Sequence, residues 1–148
     1  MTYEAALARM AALCSVSEHC ELEIREKLQR AVVSAPDIDR IVERLYDEGY
    51  LNTARYCRAY ALDKLRFTHW GRLKIEYALR GKGLPQEDIR EALDELPEDE
   101  YQRVLHDLLQ QKARMIVDDD EYTRRGKLMR YATGRGFTAD EINNSLED

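Results

Sequence analysis

Residues 75–93, IEYALRGKGLPQEDIREAL, recur as residues 128–146, LMRYATGRGFTADEINNSL, with no gap and at a shift of 53 (128 minus 75). A repeat at a fixed period means stacked copies of one small supersecondary unit, and this restricts the fold more than any single motif could. Gly81 falls on Gly134, Lys82 on Arg135, Gly83 on Gly136 and Leu84 on Phe137. Ile89 then meets Ile142, and Leu93 meets Leu146. A looser copy lies near the N-terminus, with Ile24 and Leu28 on Ile75 and Leu79. We place Ile41 and Leu45 on Ile89 and Leu93, which requires a longer loop in the first copy.

Each copy reads as three helices. Apolar residues recur at spacings of three and four, as in Leu7, Met10 and Cys14, or Tyr101, Leu105 and Leu108. The expected helices are 2–16, 21–31 and 36–48, then 53–68, 70–80 and 85–96, then 97–117, 121–133 and 138–146. Pro36, Pro85 and Pro97 fall at helix starts, where a missing N–H costs nothing. Gly49, Gly81 and Gly134 fall near helix ends, where positive φ is common. The expected fold is all-α: three tandem three-helix repeats, 1–51, 52–96 and 97–148, in an elongated, curved array. One such unit buries little alone, so its neighbours complete the core.

No apolar run approaches the roughly 20 residues needed to cross a bilayer. The apolar start, residues 5–14, contains Arg9 and lacks a basic leader, so we read no signal peptide and expect a cytoplasmic protein. Cys14, Cys20 and Cys57 are odd in number and do not have disulfide-framework spacing, so we read them as reduced, buried thiols.

The net charge of −6 conceals an asymmetry. Residues 53–84 hold eight bases, Arg55, Arg58, Lys64, Arg66, Arg72, Lys74, Arg80 and Lys82, against Asp63 and Glu76 alone. A second cluster, Arg124, Arg125, Lys127 and Arg130, opens the corresponding helix of the third unit, and Arg135 follows in the glycine turn. At roughly 100° per residue, Arg55, Arg58 and Arg66 share an arc of about 80°. We read that face as free to meet an acidic partner. Tyr56, Tyr60 and Phe67 share another narrow arc, which we read as core.

Five kinds of chemistry are disfavoured. A DNA-reading helix–turn–helix would need a second helix that tolerates phosphates. The candidate, 86–96, carries Glu87, Asp88, Glu91, Asp94 and Glu95 against Arg90. No Gly-rich phosphate loop follows a strand, and the recurrence of Gly-Lys-Gly as Gly-Arg-Gly argues for a structural turn. His19, His69 and His106 are scattered, without zinc-ligand spacing, and His19 beside Cys20 reads as a surface turn. The run Asp118, Asp119, Asp120, Glu121 reads as a flank to a helix N-terminus rather than an ion site. No nucleophile–base pair stands out, so we expect a binding protein with no cofactor rather than an enzyme.

Three stretches resemble the RecX family of regulatory proteins. EIREKL at 23–28 is similar to the family's opening Glu-Leu-Arg-x-Lys-Leu. Gly49-Tyr50-Leu51 with Arg55-Tyr56 resembles its Gly-Tyr-(Leu/Ile) signature. Trp70-Gly71, Ile75, Leu79 and Lys82-Gly83-Leu84 resemble its Gly-Pro-x-x-Ile-x-x-x-Leu-x-x-Lys-Gly-(Ile/Val). Arg72 replaces the usual proline, Asn52-Thr53 the common acidic pair, and Cys20 the usual serine cap. The resemblance implies a modulator that lies along RecA filaments on single-stranded DNA and inhibits RecA's ATPase, strand exchange and co-protease functions; we expect it to act as a monomer. It also implies a fold of three repeated three-helix motifs. For the contact surface we nominate the twelve bases of the two clusters, from Arg55 to Lys82 and from Arg124 to Arg130. Weak, salt-sensitive contact with single-stranded DNA is also expected. The competing readings are a protein–protein scaffold unrelated to RecA and a nonspecific nucleic-acid-binding module.

Overall fold

In the computed structural model, residues 1–117 and 120–147 are described. Among them are nine α-helices and no strand: α1 (Tyr3–Val16), α2 (Glu21–Arg30), α3 (Ala35–Asp47), α4 (Thr53–Asp63), α5 (Arg72–Gly81), α6 (Gln86–Asp94), α7 (Glu98–Met115), α8 (Glu121–Gly134) and α9 (Ala139–Glu147). None of the described helices is long and apolar enough to cross a membrane. Thr2, Ser34, Asn52 and Asp120 each accept a first-turn backbone N–H with the side chain, which satisfies donors that a helix start leaves open. Cys20 caps α2 without such a bond. Asp118 and Asp119 of the acidic run lie outside the described residues.

The turn between the second and third helix is the same in all three units. Val32, Gly83 and Gly136 take positive φ of 58°, 78° and 102°. The next N–H, of Val33, Leu84 or Phe137, returns to a carbonyl of the preceding helix at 3.1, 3.3 or 3.2 Å. This is the left-handed closure that often ends helices. It corrects the register of the first copy. Val32 lies on Gly83, a shift of 51 (83 minus 32), and Ser34 caps α3 where Pro85 precedes α6. The first loop is therefore no longer than the second. Ile38, not Ile41, is the counterpart of Ile89, and Val42 is the counterpart of Leu93. Ile38, Ile41, Val42 and Leu45 are all buried. With inward residues spaced by three and four, either register satisfies the apolar pattern, and only the turn fixes it.

Two hydrophobic cores result. One holds α1–α3, with Ala6, Ile24, Leu28, Ile41 and Leu45 at its centre. The other is continuous through α4–α9, from Cys57, Leu65, Ile75 and Leu79 to Tyr101, Phe137 and Ile142. Fully burying a Leu or Ile side chain contributes roughly 1.5–3 kcal/mol. The second and third units therefore stabilise each other directly, whereas the first is largely closed on itself.

Helix α4 does not run on to Thr68 as expected. At Lys64–Thr68 it widens into a π-turn, in which the His69 N–H bonds to the Lys64 carbonyl and His69 closes the turn at φ 60°. A π-turn takes more residues per turn than an α-helix, so side chains after Lys64 fall behind the α-helical register. Leu65 stays fully buried, but Phe67 leaves the core and is 78% exposed. Tyr56 is buried, as expected of the aromatic arc, and Tyr60 packs partly buried against the core. Helix α5 accordingly starts at Arg72 rather than Trp70.

Candidate functional site

The arginine face read from the sequence as free is engaged within the chain. The Arg55 side chain pairs with Glu18 and donates to the carbonyls of Gly49 and Tyr50 at 3.0 and 3.2 Å. Arg66 clasps Glu100 with two bonds of 2.6 and 3.0 Å, joining the π-turn to α7. Arg58 is exposed, with Glu95 at 4.0 Å. Helical spacing correctly groups these residues, but it cannot show that α1–α2 and α7 bring acids against them.

Arg72 is more fully engaged still. Its guanidinium lies over the Tyr101 ring and donates to the Leu93 carbonyl, Glu98 and Glu141 at 3.2, 2.9 and 3.3 Å. Arg124 closes the end of α7 by donating to the carbonyls of Ala113 and Ile116, both at 2.9 Å. Arg80 bonds Gln86 at 3.0 Å, and Arg125 bonds Asn143 at 2.8 Å. Six nominated arginines thus have intramolecular hydrogen-bond partners: Arg55, Arg66, Arg72, Arg80, Arg124 and Arg125.

The lysines arrange differently. The ammonium of Lys64 stands over both Tyr60 and Trp70, 5.3 and 4.8 Å from the ring centres. Lys74 meets the same Trp70 ring at 5.0 Å and donates to the Gly134 carbonyl at 3.3 Å. Lys82 lies 5.7 Å from the Tyr60 ring. Across the joint, Arg135 and Lys112 flank Tyr131 at 5.7 and 4.9 Å. A cleft continues from Tyr131 and Lys112 to Lys127 and Arg130, with Met115 and Val117 on its wall. The second and third units thus share a strip of alternating cations and rings: Lys82, Tyr60, Lys64, Trp70, Lys74, Arg135, Tyr131 and Lys112. Rings hold cations by their quadrupole without neutralising them, so Lys64, Lys74, Arg135 and Lys112 keep their positive charge, whereas Lys82 also faces the Glu23 carboxylate at 3.7 Å.

Close backbone packing makes the strip continuous. The Gly71 N–H donates to the Arg135 carbonyl at 2.8 Å, and the Leu73 N–H to the Gly136 carbonyl at 3.1 Å. A Cβ on Gly71 would sit 2.5 Å from the Gly136 carbonyl group, and one on Gly136 would sit 2.5 Å from the Lys74 Cβ. Two glycines therefore let the Trp70–Lys74 segment touch the turn that carries Arg135. Sequence reasoning nominated Lys64, Lys74, Lys82, Lys127 and Arg130 but left out Lys112, Arg135, Tyr60, Trp70 and Tyr131. The recurrence of Lys82 as Arg135 was the available signal for one of these.

The joint between the first two units centres on Glu23. Its carboxylate accepts from the Tyr56 hydroxyl at 2.7 Å and the Cys20 thiol at 3.1 Å, with His19 Nδ1 at 3.2 Å and Lys82 Nζ at 3.7 Å. Burial pushes the Glu23 carboxyl up, but the hydrogen bonds from Tyr56 and Cys20, with Lys82 and His19, hold it below its ordinary value. His19 and Cys20 do not form the surface turn expected of them. Cys20 is 4% exposed and packs into the second core. Burial, with Asp88 and Cys20 adding to it, pushes the Cys57 thiol up to about 11, so it remains a protonated core thiol at neutral pH. Asp120 caps α8 through the Thr123 N–H at 2.7 Å, in line with the helix-flank reading of its acidic run.

Comparison with known proteins adds to this geometry. Family models for the second and third three-helix domains of RecX match residues 52–93 and 98–146. A protein named regulatory protein RecX from Prosthecochloris aestuarii is 32% identical across 97% of this chain and 92% of its own length. The chain belongs to the RecX family. Another RecX, from Pseudomonas savastanoi pv. phaseolicola, is 33% identical across 87% of this chain and 81% of its own. RecX from Clostridium beijerinckii is 33% identical, and the match spans 86% of this chain but 60% of that relative. Two solved RecX structures share the fold. One, a regulatory protein RecX, superposes with a TM-score of 0.89 at 20% identity, covering 99% of this chain and 73% of that one. The RecX of Lactobacillus salivarius gives 0.86 at 18% identity, covering 98% and 94%. The three-by-three arrangement of the nine helices among the described residues is therefore that of RecX, a family of regulatory proteins.

Proposed function

We propose that this protein binds RecA filaments on single-stranded DNA and restrains RecA's ATPase, strand exchange and co-protease activity. In that role it would bear on recombination, DNA repair and the SOS response. The observation that carries the reading is the cationic–aromatic strip, which crosses from the second unit to the third on a chain whose net charge is −6. An acidic protein that gathers Lys64, Lys74 and Lys112 over aromatic rings in one band has a surface for an anionic, extended partner. A nucleoprotein filament is such a partner. The units 1–51, 52–96 and 97–148 act as a row, with the contact on the second and third. We read the protein as a cytoplasmic monomer that works by binding, without a cofactor and without catalysis.

The test is RecA's single-stranded-DNA-dependent ATPase, titrated with this protein at substoichiometric ratios and with RecA of the same organism. Inhibition supports the reading. An unchanged ATPase together with unchanged filament assembly defeats it. A second reading, direct binding of single-stranded nucleic acid, is favoured by Trp70 and Tyr131, whose rings could stack on bases between cations. It requires binding to DNA without RecA, with affinity falling steeply as salt rises.

A further inference from the structure

We infer that the chain bends at the joint between α3 and α4, with α1–α3 moving as one body and α4–α9 as the other, and that Glu23 is the clasp that holds this joint closed. Three observations lead there, none of which depends on the proposed RecA role.

First, the cores are separate. The apolar cluster of α1–α3 is closed on itself, whereas that of α4–α9 runs unbroken through two units. Relative motion is the default wherever two bodies do not share a large apolar interface.

Second, the two joints are built on corresponding positions but close differently. By the shift of 51, Cys20 occupies the place of Gly71 and Leu22 that of Leu73; the 53-residue shift puts Gly83 in the place of Gly136. At the second joint the Gly71 and Leu73 N–H groups bond to the Arg135 and Gly136 carbonyls. At the first, among the described residues, no backbone hydrogen bond passes from 20–22 to 82–83. A cavity of about 260 Å³ lies there instead, lined by Cys20, Leu22, Arg25, Tyr46, Lys82 and Gly83. The cause is steric. A Cβ at Gly71 would meet backbone at 2.5 Å, so the side chain of Cys20 forbids the same approach at the equivalent place.

Third, what spans the first joint is mostly polar. Glu23 reaches Tyr56 and Lys82, Glu18 reaches Arg55, and Cys20 is the residue of the first unit that joins the apolar core of α4–α9. One oxygen of Glu18, Oε1, is buried with no hydrogen-bond partner. Ion pairs and hydrogen bonds of this kind exchange readily for water, unlike a packed core. Cys20 serves as the pivot and Glu23 as the catch.

The test measures two distances on the whole protein by electron spin resonance, with spin labels on unnatural keto residues so that the native cysteines stay untouched. One pair is Arg9 with Glu91, across the first joint; the other is Glu91 with Asn144, across the second. The first distribution should be about twofold broader than the second, as for bodies linked without a shared core. Glu23→Gln should broaden the first further and leave the second unchanged, the second pair also reporting that the variant is folded. Equal widths in the unmodified protein would overturn the hinge. A broad first pair that Glu23→Gln does not alter would overturn the clasp.

Discussion

The guanidinium carbon of Arg72 lies 4.0 Å from the centre of the Tyr101 ring, and the backbone N–H of Arg72 donates to the hydroxyl of the same tyrosine at 3.1 Å. Tyr101 in turn donates to Glu141, which also receives the Arg72 side chain and the Thr138 N–H. One planar cation therefore ties α5 to α6, α7 and α9. An ammonium cannot stack and fork in this way. Arg72→Lys should lower stability by roughly 1–2 kcal/mol, read as a lower urea midpoint at constant slope. An unmoved midpoint would mean that water serves Glu98, Glu141 and the Leu93 carbonyl equally well.

Val32 holds a left-handed conformation that its counterparts assign to glycine, and its side chain is 86% exposed, so packing gives nothing in return. Relieving that conformation should stabilise the fold by about 1 kcal/mol. Val32→Gly is expected to raise the thermal midpoint, and Gly83→Val to lower it. A drop on Val32→Gly would show that the entropy of the unfolded glycine outweighs the relief.

Gly71→Ala should damage the joint between the second and third units, because the new methyl would lie 2.5 Å from backbone that cannot swing aside. Overpacking of this kind costs roughly 1–3 kcal/mol. Amide hydrogen exchange should quicken at Gly71 and Leu73, the two residues whose N–H groups cross the joint. Unchanged protection at both would place the tolerance for a side chain higher than this geometry allows.

Charge reversal on the strip separates contact from support. Lys64→Glu with Lys74→Glu should abolish inhibition of the RecA ATPase and leave helical circular dichroism intact. Arg58→Glu, off the strip, should leave inhibition near its starting level. If Arg58→Glu abolishes inhibition and the lysine pair does not, the contact surface lies along α4 rather than on the strip. Arg66→Glu is a poor probe of contact, since it would also set two carboxylates against each other at Glu100.

Glu23 has a sign that can be worked out. Its folded-state value lies below its ordinary 4.5, so the ionised form is favoured by folding. The stability it contributes is present above about pH 4.5 and is lost as pH falls through the lowered folded value. The stability difference between the native protein and Glu23→Gln should be constant near neutral pH and shrink on acidification. A difference that grows on acidification would show that desolvation outweighs the hydrogen bonds.

Much of this fold was legible in the sequence because a repeat states its own period. The gapless match of 75–93 to 128–146 gave the architecture, and eight of the nine helices among the described residues run close to their expected limits. The exception, α4, stops short because no residue type announces a π-turn. The register of the first copy was misjudged because Ile38 and Ile41 are both buried and the deciding signal, Val32 at φ 58°, is invisible in a residue that rarely adopts it. The site was legible as charge but not as arrangement. Arg55, Arg66 and Lys64 look alike along the chain, and what separates them is whether another unit brings a carboxylate or a ring to meet them.

The widened turn at Lys64–Thr68 also governs how this chain should be compared with its own repeats. Superposing α4 on α1 or α7 by ideal helical phase gives the correct side for Tyr56, Cys57 and Ala61 and the wrong side for Phe67. A local slip in winding thus leaves the interior residues in place while sending an aromatic outward, so one copy in a row of near-equals acquires a distinct exterior. Substitutions chosen by analogy between the three units are transferable along α4 up to Lys64 and again from α5 onward, and must be re-phased within Lys64–Thr68.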